Sequence, residues 1–265
     1  MTLGIFLLVS LATAVGLCLR NLWLLPLCFL GAAVGYFLLL VLFVLIMAAL
    51  VRKNQPRQRD NGFYRWVVYR AIDLVLPLIR YRVHTQGFEK APAENRVLIV
   101  CNHLHGLDPA ILLKCFRDYR PAFISKKEND RLPVVAPFLH QLLCQSIDRE
   151  NDRQALKVIL NCIQLLKDQT VSIAVFPEGH RSADGNLQEF RSGVFKIAQR
   201  AGVPIVVCTL QNTQYGIHNA LHLKPTDIHL HLVSVLMPEE LTGLTATQIS
   251  GQVRALMVKD LKLEK

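Results

Sequence analysis

The sequence predicts an α/β fold: a mixed, mostly parallel sheet flanked by helices, preceded by an N-terminal hydrophobic helical hairpin. Three observations carry this. From Tyr81 onward, short runs of β-branched and aliphatic residues alternate with helical patterns. From Thr2 to Val51 the chain holds one charge, Arg20. The composition, 52% hydrophobic and 19% charged, is more apolar than a soluble core requires. A length of 265 residues accommodates one α/β domain with an appendage.

Taken in order, the apolar N-terminus is too long for a secretory signal peptide. Spanning helices need about 20 apolar residues each. The stretch therefore divides into a pair, Leu3 to Leu19 and Cys28 to Leu50, with Arg20 to Pro26 as the turn. A re-entrant pair that never crosses is the alternative. The cluster RKNQPRQR, Arg52 to Arg59, then marks the cytoplasmic side by the positive-inside rule. Residues 1–51 are thus read as membrane helices, 52–80 as a basic juxtamembrane segment and interfacial helix, and 81–265 as the α/β domain. In Phe63 to Arg80, the residues Arg65, Arg70, Asp73 and Arg80 share one arc, beside Trp66 and Tyr69. That describes either a helix lying in the headgroup layer or the first core helix of the domain.

Strands are expected at Val97–Cys101, Ala122–Ser125, Val171–Phe176, Val203–Thr209 and Ile228–Val235. Helices fall between them. Asp152 is expected to cap one running to Lys167, Ser192 one running to Arg200, and TATQ at Thr245–Gln248 a C-terminal one. The seven cysteines show no CxxC pairing and read as reduced. The net charge of +10 suits anionic headgroups, phosphorylated substrates and nucleic acid equally.

Chemistry concentrates in NHLHGLDPA, Asn102 to Ala110. His103 leaves the first buried strand, while Asp108 and Pro109 have the form of a helix start. A carboxylate beside a histidine fixes its tautomer and stabilises the imidazolium, which makes a general base. Asp108 as a plain helix cap is the other reading.

Three further stretches carry a resemblance. SKKEN (Ser125–Asn129) precedes SIDREND (Ser146–Asp152); FPEGHRSADG (Phe176–Gly185) and VPIVVC (Val203–Cys208) follow. In this order, with His-x4-Asp first, they resemble the four blocks of glycerolipid acyltransferases, the group that includes 1-acylglycerol-3-phosphate acyltransferase. His180 stands where the family's third block usually has threonine. The resemblance spans Arg96 to Gln211 and implies acyl transfer from a thioester, acyl-CoA or acyl carrier protein, to the free hydroxyl of a lysophospholipid. It implies no cofactor beyond that co-substrate and no nucleic-acid partner. With the N-terminal helices, it places the enzyme in a membrane, the bacterial cytoplasmic one, with the catalytic domain on the cytoplasmic side.

Roles follow from that reaction. His103 takes the hydroxyl proton and Asp108 orients it. Arg149, Arg181 and one of Lys126 or Lys127 are candidate phosphate contacts, since a guanidinium grips phosphate with two parallel bonds. Glu178 would accept from acceptor hydroxyls, and Gly179 would allow close backbone approach. Three rivals are weighed. Cys101 with His103 as its base would make a thioesterase. Cys101, His103, His105 and Asp108 could be drawn as a metal site, but four neighbouring side chains converge poorly, and no metal is expected. A non-catalytic module binding anionic lipid accounts for the N-terminal third and leaves the ordered blocks unexplained. Glycerol-3-phosphate or another lysophospholipid is the alternative acceptor.

Overall fold

The computed structural model describes residues 2–18, 24–51, 59–148, 151–168, 170–182 and 185–262. The expected turn around Arg20, most of the basic cluster (52–58) and Arg149 lie outside the described residues.

Helices α1 (Thr2–Cys18) and α2 (Leu25–Ala49) pack together. The Thr13 and Tyr36 hydroxyls, 3.0 Å apart, tie them in an otherwise apolar pair. Pro26 sits in the first turn of α2, where its missing N–H costs nothing. With 25 residues, α2 reaches about 37 Å and is long and apolar enough to cross a membrane. The 17 residues of α1 fall short of that length. The expected pair of spans is therefore one spanning-length helix and a shorter companion. Cys28 is disulfide-bonded, contrary to the reading of every cysteine as reduced. Cys101, Cys115, Cys144, Cys162 and Cys208 are free.

Helix α3 (Gly62–Leu78) starts at Asn61, whose side chain accepts from the N–H groups of Phe63 and Tyr64. Its cations do not form the expected outer face. Arg65 is buried, with its guanidinium on both oxygens of Asp60 at 2.7 and 3.1 Å and on the Pro121 carbonyl. Burial opposes its charge, and the Asp60 carboxylate more than restores it. Asp73 pairs with Arg70 and Arg117. The exposed side chains of α3 are instead Phe63, Trp66, Val75 and Leu78. The helix thus buries Val67, Ile72, Leu74 and Leu76 together with Arg65, and shows a second set of apolar side chains outward.

Among the described residues seven strands form one sheet in the order β1-β7-β6-β2-β5-β3-β4. They are β1 (Tyr81–Gln86), β2 (Leu98–Cys101), β3 (Ala122–Lys126), β4 (Gln145–Ile147), β5 (Ile173–Val175), β6 (Ile205–Gln211) and β7 (Thr226–Leu236). All neighbours run parallel except β6 and β7. Side chains alternate between faces as a pleated strand demands. Leu98, Val100, Ile173, Val175, Ile205 and Val207 pack toward α6 (Asp152–Lys167), α7 (Lys196–Ala201) and α9 (Ala246–Leu261). Ile99, Cys101, Ala174, Val206 and Cys208 pack toward α3 and α4 (Asp108–Cys115). Two shorter helices, α5 (Val135–Gln141) and α8 (Gly216–Leu221), lie before β4 and β7.

The five expected strands are present. Edge strands β1 and β4 escaped the sequence reading, because YRVHTQ and QSI carry too few apolar residues to announce a strand. Asn151, not Asp152, caps α6 by accepting from the Gln154 N–H. The helix expected from Ser192 opens as a 3-10 turn, Ser192–Phe195, before α7, which ends at Gly202 in the left-handed conformation. Thr245 and Gln248 form the capping box of α9. His229 and His231 share one face of β7, as alternation requires. His231 and Thr209 both bond Asp260, so that face holds the C-terminal helix to the sheet.

Candidate active site

The parallel strands β2, β5, β3 and β4 end on one edge of the sheet, and each hands over there to one of the motif blocks. That edge is where ligands bind in such sheets, because loops leaving adjacent parallel strands converge.

Beyond Cys101 the β2 chain is clamped before it turns. The buried Asn102 amide donates to the Leu210 carbonyl at 2.9 Å and accepts from the Leu210 N–H at 2.7 Å. This extends the β2–β6 pairing past its last strand residue and fixes where His103 begins. The peptide of His103 is then held from both sides by the third block. Its N–H donates to Glu178 Oε1 at 2.9 Å, and its carbonyl accepts from the Ser182 N–H at 2.8 Å. The imidazole lies stacked on Phe176, 4.2 Å between centroids, and Phe176 stacks in turn on Phe123.

His103 Nδ1 lies 2.8 Å from Asp108 Oδ2. Since a carboxylate only accepts, Nδ1 carries the proton and Nε2 is the basic nitrogen. The same Oδ2 accepts from the Leu104 N–H at 2.6 Å and the His105 N–H at 2.8 Å. Asp108 is fully buried, and its Oδ1 accepts no hydrogen bond among the described residues. Asp108 is thus not the expected N-cap. It is the first residue of α4, Leu107 occupies the cap position, and the carboxylate folds back over its own loop. His103 keeps 18% of its side chain exposed, enough for a reactant to reach Nε2.

Glu178 is held within the protein. It is 2% exposed, and its second oxygen accepts from the Gln188 N–H at 2.9 Å. Burial pushes its carboxyl up, against the opposing effect of these backbone donors. Both oxygens are therefore engaged by the protein, and the side chain splices the His103 loop to the FPEG loop. Gly179 has φ 77° and closes a turn onto the Phe176 carbonyl, so glycine is needed for its backbone conformation.

Arg181 is exposed and forms no ion pair among the described residues. A Cβ placed on Gly106 would lie 3.8 Å from its Nη1, so the guanidinium rests over the His103 loop. His105, which the sequence offers only as one member of the rival metal site, lies close to Asp108, Arg181 and His103. Burial first, and then the Arg181 and His103 charges, hold its imidazole below the ordinary range, while Asp108 opposes them. Lys126 and Lys127 lie two strands away at the β3 end, bound to Glu128 and Asp148 at 2.9 Å each. They are exposed surface pairs, and neither touches the His103 loop. Cys101 is fully buried, its thiol pushed well up by burial and directed at Asn102. It is no thiolate nucleophile.

The site thus joins a buried carboxylate, an accessible imidazole and an exposed guanidinium on loops from β2 and β5. The sequence pattern of the Acyltransferase family matches residues 82–211, the span that holds all of these groups. The chain is 34% identical over 134 residues to a chloroplast 1-acyl-sn-glycerol-3-phosphate acyltransferase of Brassica napus, covering 50% of this chain and 38% of that one. It is 26% identical over 192 residues to a 1-acyl-sn-glycerol-3-phosphate acyltransferase of Borreliella burgdorferi, covering 72% and 76%. The chain therefore spans well under half of the plant relative's length. In fold it matches the crystal structure of the 1-acyl-sn-glycerophosphate acyltransferase PlsC of Thermotoga maritima, with a TM-score of 0.62 at 23% identity, over 93% of this chain and 98% of that one. With the ordered motifs, the dyad they build and these likenesses in agreement, the chain belongs to the acyltransferase family.

Proposed function

We propose that this protein is a membrane-bound enzyme that moves a fatty acyl group from a thioester to the free hydroxyl of 1-acylglycerol-3-phosphate, giving phosphatidic acid. The observation that carries the reading is the His103 Nδ1–Asp108 contact at 2.8 Å with Nε2 left as the free base. The acceptor hydroxyl donates to Nε2 and its oxygen attacks the thioester carbonyl carbon. Nε2 takes the proton as the new C–O bond forms, and Asp108 stabilises the resulting imidazolium. Collapse of the tetrahedral intermediate breaks the C–S bond, and the imidazolium returns the proton to the leaving sulfur. No acyl-enzyme is needed, since the thioester is already activated. Arg181 receives the acceptor's phosphate. Helix α2 is the anchor, and the catalytic domain lies on the cytoplasmic side.

The test is direct: the purified full chain, offered acyl-CoA and acyl carrier protein with lysophosphatidic acid, glycerol-3-phosphate and other lysophospholipids, with products read by mass spectrometry. Phosphatidic acid from lysophosphatidic acid is expected with at least one donor. No phosphatidic acid from either donor overturns the reading.

In this mechanism Glu178 positions His103. Glu178→Gln keeps the shape but turns an amide N–H toward one of two backbone N–H donors, so the loop shifts. The expected result is a kcat lower by about tenfold, with the acceptor KM within about twofold, because small displacements of a reacting group are costly. A raised acceptor KM at unchanged kcat would mark direct substrate contact. Stability supplies a second readout. The folded-state pKa of Glu178 is raised above its unfolded value, so its contribution is present at low pH and is lost as pH rises through the folded value. Wild type should therefore gain stability relative to the Gln variant as pH falls.

A further inference from the structure

The connection from Tyr215 to Lys224, between β6 and β7, takes no part in the chemistry above. It leaves β6 at the same end of the sheet as His103, because β6 runs parallel to β2 and Asn102 clamps onto Leu210 there. Four large apolar side chains in it face outward: Tyr215, Ile217, Leu221 and Leu223, the two leucines 79% and 75% exposed. Leu223 also has φ 56°, a left-handed conformation that follows α8 and that glycine or asparagine ordinarily fills. The backbone is pinned in that shape. The Leu223 N–H donates to the Ala220 carbonyl, the Lys224 N–H to the Asn219 carbonyl, and the Arg80 guanidinium to the Leu223 carbonyl. A chain selected for stability alone has no use for a strained leucine held out into water. The leucine is accounted for by something that covers it.

Charge identifies the occupant. Lys224 is exposed beside the leucines with the imidazoles of His218 and His222, Arg80 is bonded to the loop, and the first acidic residue after it, Asp227, lies against His84 at 2.9 Å. Aliphatic tips among basic groups match the boundary between anionic headgroups and acyl chains. The end of α3 that leads to Arg80 also exposes Val75 and Leu78. Helix α3 meets α2 where the Tyr64 hydroxyl donates to the Met47 carbonyl. We propose that the β6–β7 connection dips Leu221 and Leu223 into an anionic phospholipid bilayer, a second membrane contact that sets the His103 crevice against the leaflet from which a lipid acceptor enters. The bilayer contact stands on its own observations, and only the acceptor's route rests on the acyl-transfer reading.

The experiment uses the full chain in vesicles of phosphatidylcholine and phosphatidylglycerol. Leu221→Cys carries a nitrobenzoxadiazole label, read by quenching with lipids brominated on their acyl chains. Exposed Lys167 in α6, as Lys167→Cys, supplies the reference for water, and the wild-type chain put through the same labelling supplies the background. The label at position 221 should be quenched several-fold more than the label at 167, and less so when phosphatidylglycerol is left out. Equal quenching at 221 and 167 overturns the proposal, as does shielding at 221 that appears only on self-association in detergent. In turnover, Leu221→Asp combined with Leu223→Asp should raise the KM for vesicle-borne acceptor by about tenfold for each leucine withdrawn. With a short-chain acceptor in free solution, its kcat should stay within about twofold of wild type. Equal damage with both acceptors overturns the route. A chain with no acyl transfer at all would fail the functional reading while the quenching still reports the contact.

Discussion

His103→Ala is expected to lower kcat by about 10³-fold while the protein stays folded and membrane-bound, because a positioned base contributes roughly 10²–10⁴ in rate. The structure makes this a test of chemistry more than of packing. The imidazole is partly exposed, and its removal uncovers one face of Phe176 without opening the core. Asp108 keeps the Leu104 and His105 N–H donors, so the loop retains two of its three ties to the carboxylate. The lost His103–Asp108 bond should cost about 1.5–3 kcal/mol of stability at most, the range for a hydrogen bond to a charged group. Asp108→Asn is the informative companion. Its amide oxygen can take the place of Oδ2, but the charge behind the imidazolium is lost and the amide NH2 falls at the buried Oδ1 position, where no acceptor stands, so both rate and loop stability suffer. Thermal melting followed by circular dichroism, beside single-turnover rates, separates the two variants: loss of rate with near-native melting for His103→Ala, and loss of both for Asp108→Asn. Near-normal turnover in His103→Ala would end the assignment of the base.

The dyad was legible because its partners are five residues apart in one tight loop, so local chain geometry alone brings them together. The buried strands were legible for a related reason: Val97–Cys101 and Val203–Thr209 are apolar on both faces and announce a covered sheet. What escaped depended on residues distant in sequence. The arc of Arg65, Arg70 and Asp73 on α3 is correct, yet periodicity does not say which arc faces the domain. Arg65 finds its carbonyl at Pro121, 56 positions away, and Arg117 reaches back to Asp73. The partners of Glu178 are hidden the same way. A carboxylate in a motif suggests a ligand, while its two oxygens each accept a backbone N–H, from His103 and from Gln188, 75 and 10 residues away. Asn102 stood inside the motif, and its partner Leu210, 108 residues on, is invisible until the sheet is built.

Arg181→Ala is expected to weaken the acceptor's apparent affinity by ten- to a hundredfold, the loss of a charge-assisted contact worth about 1.5–3 kcal/mol, with the donor's saturation nearly unchanged. Glu178, three positions earlier, is committed to backbone N–H groups, so a structural Arg181–Glu178 pair is absent, and Arg181 forms no other ion pair among the described residues. Its guanidinium stands over Gly106, in the loop that carries the base, and close enough to His105 to help hold that imidazole neutral. An exposed cation beside a base is placed to bind a dianionic headgroup while the neighbouring hydroxyl reaches Nε2. Lysine at this position should recover only part of the loss, since it keeps the charge and forfeits the planar fork. The local field gives a second readout. Removing the Arg181 charge should let the His105 pKa rise toward its ordinary value, visible in a proton NMR titration of the imidazole, whereas Arg181→Lys should leave it depressed. If Arg181→Ala instead damages acceptor and donor saturation equally and lowers the melting temperature, the residue is structural and the phosphate must be held elsewhere.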